Sequence, residues 1–185
     1  MQIQLLSAVL ALFLLGVFVP ALRHKITSWP RFTASLQAYR LLPAGLTRAA
    51  AGLLAVLEAI VIVLLLLTLF INALQTLAFF GAGVLFSLYL LAMWVNMLRG
   101  RDMIDCGCGD EPTRLSIGLL VRNGVLVGLS LAGWQLAGYH DTSGSLGLLE
   151  LVVSLALGAV ALILYSAGEQ MLTNRSTHRK LWMES

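Results

Sequence analysis

The sequence predicts an all-α, polytopic membrane helix bundle with five transmembrane helices and one short interfacial helix. Three observations carry this reading. Of 185 residues, 59% are hydrophobic and 11% charged, with a mean hydropathy of +0.89, whereas a soluble domain runs at about 45–50% apolar and about 25% charged. The apolar residues gather in stretches near the roughly 20-residue length that crosses a bilayer core. Lys and Arg fall between those stretches and form no run suited to nucleic acid, so the formal +3 charge is a topology signal and no nucleic-acid partner is expected.

The first span, about residues 2–22, is uncharged until Arg23-His24-Lys25. With no basic segment before it and a long apolar core, it reads as a retained span, not a cleaved signal. The second span, about 49–71, is interrupted by Glu58, and the third covers about 74–98. Asn72–Gln75 reads as the turn that reverses the chain between them. A fourth span, about 115–138, carries Arg122, and a fifth, about 146–167, carries Glu150 near its start, where a helix dipole favours an acid. The chain, 1–185, therefore reads as one integral membrane domain.

Between the first two spans, segment 29–43 has Phe32, Leu36, Tyr39 and Leu42 at helical spacing until Pro43 stops the run. Ser28 suits a cap, Pro30 a first turn, and Trp29 and Tyr39 the headgroup level. This predicts a helix lying on the membrane surface, either as a plain linker or as a docking face.

Arg23, Lys25, Arg31, Arg40 and Arg48 fall in the first loop, Arg99, Arg101 and Arg114 in the third, and Arg175, Arg179 and Lys180 in the tail. The positive-inside rule then gives a periplasmic amino terminus, a cytoplasmic carboxyl terminus, and loop 99–114 on the cytoplasmic side.

That loop holds both cysteines, in Cys106-Gly107-Cys108-Gly109, beside Asp105 and Asp110. A disulfide needs Cα atoms about 4.4–6.8 Å apart and two extended residues span about 7 Å, so closure requires the bend that Gly107 permits. A ring so small is strained, and strained, exposed disulfides exchange readily. The pair reads as redox-active, as two free thiols, or as part of a metal site. The three histidines are too scattered to complete a zinc site, so no metal is expected.

Glu58 and Arg122 are the deepest charges, and charges within a span are costly enough to be functional candidates. They lie about 15 and 11 Å from the same face at 1.5 Å per residue, so they can pair. One reading is a structural ion pair. The other has Arg122, with Asn123 beside it, stabilising a thiolate while Glu58 holds Arg122 or relays a proton.

The ordered set of Phe32, Leu36, Tyr39 to Pro43, Glu58, Cys106-Gly107-Cys108-Gly109 and Arg122-Asn123 resembles the MauE family, within the wider MauE/DoxX group of redox-associated membrane proteins. The resemblance implies a bacterial inner-membrane protein of methylamine utilisation. Its implied role is processing, transport or disulfide-linked maturation of the methylamine dehydrogenase beta subunit, a periplasmic, disulfide-rich polypeptide bearing tryptophan tryptophylquinone. It further implies a thioredoxin-like partner, MauD, and an exchangeable pair at Cys106 and Cys108 supported by Gly107, Gly109, Glu58, Arg122 and Asn123.

A more distant likeness is to the thiol oxidoreductases DsbB and vitamin K epoxide reductase. Those enzymes use Cys-x-x-Cys and further loop cysteines, whereas this chain has two cysteines in all. No quinone site is therefore carried over, no cofactor is expected, and a maturation factor is favoured over a stand-alone enzyme. The alternatives are a membrane thiol:quinone oxidoreductase and a non-redox scaffold or small-solute conduit built around Glu58 and Arg122. One tension stands: the charges place the cysteines inside, while the implied client is periplasmic.

Overall fold

A computed structural model describes residues 2–41, 43–100, 116–138 and 147–181, except the side chains of Ala44 and of residues 172–181. The order is α1 (Gln2–Thr27), α2 (Trp29–Ala38), α3 (Ala44–Leu67), a 3-10 turn (Asn72–Leu74), α4 (Gln75–Leu98), α5 (Ile117–Gly138) and α6 (Leu148–Leu181). Among the described residues there is no strand. All of these helices except α2 are long and apolar enough to cross a membrane, as a chain that must satisfy its backbone inside lipid requires.

The α3–α4 reversal falls where the polar residues interrupt the apolar run. Thr68 closes α3 by donating its hydroxyl to the Leu65 carbonyl at 2.7 Å, and the Gln75 amide donates to Asn72 Oδ1 at 3.2 Å across the turn. At the start of α6, the Glu150 carboxylate accepts the Gly147 backbone N–H at 3.0 Å. An acid in the first turn thus satisfies an otherwise unpaired helix-end donor.

Three expectations about the first loop change. The first helix does not end before the basic residues: α1 continues to Thr27 and buries Lys25 to 2% exposure, because the ammonium has a partner inside the bundle. Segment 29–43 does form a helix, but α2 ends at Ala38, Arg40 takes a left-handed φ of 47°, and Pro43 stands at the N-cap of α3. Its apolar face packs on protein, with Phe32 and Tyr39 buried. Ser28 occupies the cap position without a side-chain cap hydrogen bond.

Packing centres on α1, which contacts α2, α3, α5 and α6, while α4 and α5 form a close antiparallel pair. Phe18 of α1 stacks on Phe86 of α4, with ring centroids 4.6 Å apart, in a core shared with Leu14, Leu65, Phe79 and Ala82. Small residues set the spacing, as van der Waals packing between membrane helices demands. A Cβ at Gly133 of α5 would stand 2.5 Å from the Phe79 ring, and one at Gly16 of α1 would stand 2.2 Å from Leu162 of α6.

Cys106, Gly107, Cys108 and Gly109, with Leu42 of the first loop, lie outside the described residues.

Candidate functional site

Three of the membrane helices converge on one carboxylate. The last turn of α1 brings Lys25, α3 brings Glu58 and α4 brings Tyr89, and the Lys25 ammonium pairs with Glu58 Oε1. The Tyr89 hydroxyl donates to the same oxygen at 2.6 Å, and Lys25 also donates to the Tyr89 oxygen at 3.2 Å. The ammonium sits 4.7 Å from the Tyr89 ring centroid and 5.4 Å from that of Phe32, so α2 supplies part of the cation's surroundings. Rings at these distances offset some of the cost of removing a cation from water.

A second ion pair joins α5 to α6, between Arg122 and Glu169. It is wetter than the first: Arg122 is 14% and Glu169 40% exposed, against 2% and 1% for Lys25 and Glu58. Glu58 and Arg122, placed at similar depth by the sequence, therefore do not pair with each other; each has a nearer partner. The structure nonetheless brings them to one place. Both line a cavity of about 470 Å3 whose wall also includes His24, Lys25, Tyr89, Asn123 and Glu169. Asn123 is buried and its amide donates to the Leu119 carbonyl at 3.1 Å.

A second, mainly apolar cavity of about 320 Å3 lies between α2, α3 and α4, and Lys25 and Tyr89 line it as well. The Lys25 and Tyr89 side chains thus stand between a polar chamber and an apolar one. Phe32, Leu36 and Tyr39, read from the sequence as an interfacial motif, form the α2 wall of the apolar chamber.

The polar chamber lies toward the bundle end that carries the cysteine loop. Tyr89 is nine residues before the end of α4 and Arg122 five after the start of α5, or about 14 and about 8 Å of helix. These are the helix ends joined by the segment containing Cys106 and Cys108. Among the described residues, no group of three His, Cys, Asp or Glu side chains gathers as metal ligands would.

Lys25, Tyr89 and Glu169 were not identified from the sequence as site residues. Lys25 follows an uncharged run and reads as its flank, while Glu169 lies past the expected end of the fifth span. Counting Glu169, beyond that end, beside Glu58 offers Lys25 and Arg122 one carboxylate each.

Residues 3–136 match the family model described as Methylamine utilisation protein MauE. The chain belongs to the MauE family. It is 34% identical to a MauE from Methylophilus methylotrophus over 174 residues, 92% of this chain and 88% of the relative. It is 32% identical to one from Paracoccus versutus over 92% of this chain and 89% of the relative, and 33% identical to one from Paracoccus denitrificans over 84% and 81%. No solved structure matches the chain. The MauE match takes in Lys25, Glu58, Tyr89, both cysteines and Arg122, and stops before Glu169.

Proposed function

We propose that this MauE family member is an inner-membrane accessory protein that serves processing, transport or disulfide-linked maturation of the methylamine dehydrogenase beta subunit. Its family supports a role in methylamine utilisation. The observation that carries the finer reading is the placement of a charged chamber toward the helix ends bearing a Cys-Gly-Cys pair. Of the charged groups in that chamber, Arg122 lies nearest those helix ends, and a guanidinium close to a thiol favours the thiolate.

In the proposed chemistry, two thiols of the client become a disulfide as the Cys106–Cys108 disulfide opens to two thiols. Two electrons and two protons move from client to pair. The disulfide of a thioredoxin-like protein, MauD, then accepts the same two electrons and two protons and restores the pair. On the topology given by the positive charges, the amino terminus is periplasmic and the carboxyl terminus and cysteine loop cytoplasmic, so exchange with a periplasmic client requires either that the loop be reached through the bundle from the far side or that the charge rule fail here.

A single-cysteine variant tests this reading. Cys106→Ser or Cys108→Ser leaves one thiol unable to resolve a mixed disulfide, so a reductant-sensitive adduct with the beta subunit or the thioredoxin-like protein should accumulate on non-reducing gels. Absence of any such adduct from both single variants would reject the exchange. The charged chamber favours one second reading, a non-redox scaffold or small-solute conduit. Loss of methylamine utilisation in Glu58→Gln with both cysteines dispensable would select it.

A further inference from the structure

The apolar chamber between α2, α3 and α4 has no part in the exchange chemistry. Phe32, Leu36, Leu53, Leu88 and Met93 line it, and Lys25 and Tyr89 close its inner end, where the Lys25 charge is already balanced by Glu58. A charged group pushed that far in would have no counter-ion, so the interior suits an uncharged hydrocarbon. At about 320 Å3 the chamber falls in the range of small-molecule sites, about 300–1,000 Å3.

Two of its wall residues also reach the outer surface of the bundle. Leu53 of α3 is 60% and Leu88 of α4 46% exposed, on helices long and apolar enough to cross a membrane. Leu53 lies nine residues after the start of α3 and Leu88 ten before the end of α4, about 14 and about 15 Å of helix from the same end of the bundle. Half of a bilayer's hydrocarbon core is also about 15 Å. With that end at headgroup level, both side chains stand at acyl-chain depth.

The rim at that end is basic. Arg99 caps α4 and follows Ala92 of the chamber wall by seven residues, two turns along one helix face. Arg40 follows Tyr39, which lines the chamber and clusters with Met93, while Met97 packs on that cluster; the end of α2 therefore meets the end of α4. Arg40 also holds its left-handed φ of 47°, a conformation that costs a non-glycine residue energy. Both arginines are exposed. Neither has an ion-pair partner among the described residues, where Glu58 is taken by Lys25, Glu169 by Arg122, and Glu150 stands in the first turn of α6.

We propose that the apolar chamber and its rim form a binding site for an anionic phospholipid, with one acyl chain in the chamber and the phosphate held at the rim by Arg40 and Arg99. A basic pocket between membrane helices is the usual setting for an anionic headgroup. Phosphatidylglycerol brings one negative charge to two cations that lack a counter-ion. The ammonium of phosphatidylcholine or phosphatidylethanolamine brings a further positive charge to the same rim.

The test uses the full-length protein, stripped of lipid in detergent and titrated with dioleoyl phosphatidylglycerol, phosphatidylcholine or phosphatidylethanolamine while bound lipid is counted by native mass spectrometry. Phosphatidylglycerol should bind at least tenfold more tightly than either of the others. Arg40→Gln with Arg99→Gln, both at exposed positions, should bring that preference within threefold. Ala92→Leu fills part of the chamber without touching the rim and should weaken phosphatidylglycerol binding at least fivefold; Ala50→Leu, from the α3 wall, gives the same readout if Ala92→Leu does not fold. Equal binding of the three lipids by the unaltered protein, or a preference that survives loss of both arginines, would overturn the proposal. So would phosphatidylglycerol binding unchanged by filling the chamber, which would leave only surface attraction between charges.

Discussion

Lys25 at the end of α1 and Glu58 within α3, thirty-three residues apart in sequence, form a salt bridge in which both side chains are almost fully buried. The bridge ties the first membrane helix to the second, and Tyr89 of α4 closes it from the third side.

Removing one partner of such a pair strands the other charge. Lys25→Met should therefore cost about 3–5 kcal/mol, read as a large fall in thermal unfolding temperature in detergent. The double variant Lys25→Met with Glu58→Gln removes both charges and should recover most of that loss. Equal destabilisation of the single and double variants would count against a buried pair.

The α5–α6 bridge should behave differently. Arg122→Gln leaves Glu169, which is 40% exposed, able to find water, so the loss should be near the roughly 0–1 kcal/mol of exposed pairs. The same unfolding measurement ranks the two bridges, and an Arg122→Gln loss as large as that of Lys25→Met would contradict the ranking.

Close approach of α4 and α5 depends on Gly133. A methyl group there meets the buried Phe79 ring at 2.5 Å, so Gly133→Ala should cost about 1–3 kcal/mol by overpacking. Phe79→Leu in the same chain should recover part of it. Additive losses in the double variant would show that the two residues do not share this contact.

Topology is open to direct measurement. A fluorescent protein fused after Ser185 should fluoresce and an alkaline phosphatase fused there should be inactive, as a cytoplasmic carboxyl terminus requires. The opposite pair of results would reverse the orientation drawn from Arg23 to Arg48, Arg99 to Arg114 and the basic tail.

The membrane helices were legible because bilayer thickness imposes a length, and the turn at Asn72–Leu74 because Asn and Gln interrupt an otherwise apolar run. What each helix meets was less legible. Helical spacing identified the Phe32, Leu36 and Tyr39 face of α2, but periodicity names an apolar face without naming its partner, and that face covers Lys25 and the apolar chamber. Depth arithmetic brought Glu58 and Arg122 to one level and hence to one cavity. It could not anticipate Lys25 and Glu169 as nearer partners, because pairing across helices depends on rotation about each axis as well as depth.

Disulfide exchange by Cys106 and Cys108 on behalf of the client is open to direct test. Disulfide-bonded beta subunit, separated on non-reducing gels, should be compared in cells carrying the unaltered protein, Cys106→Ser or Cys108→Ser, with membrane levels of each variant measured alongside. Both variants should remain in the membrane while disulfide-bonded beta subunit is lost. Normal accumulation of that subunit in both variants would contradict it.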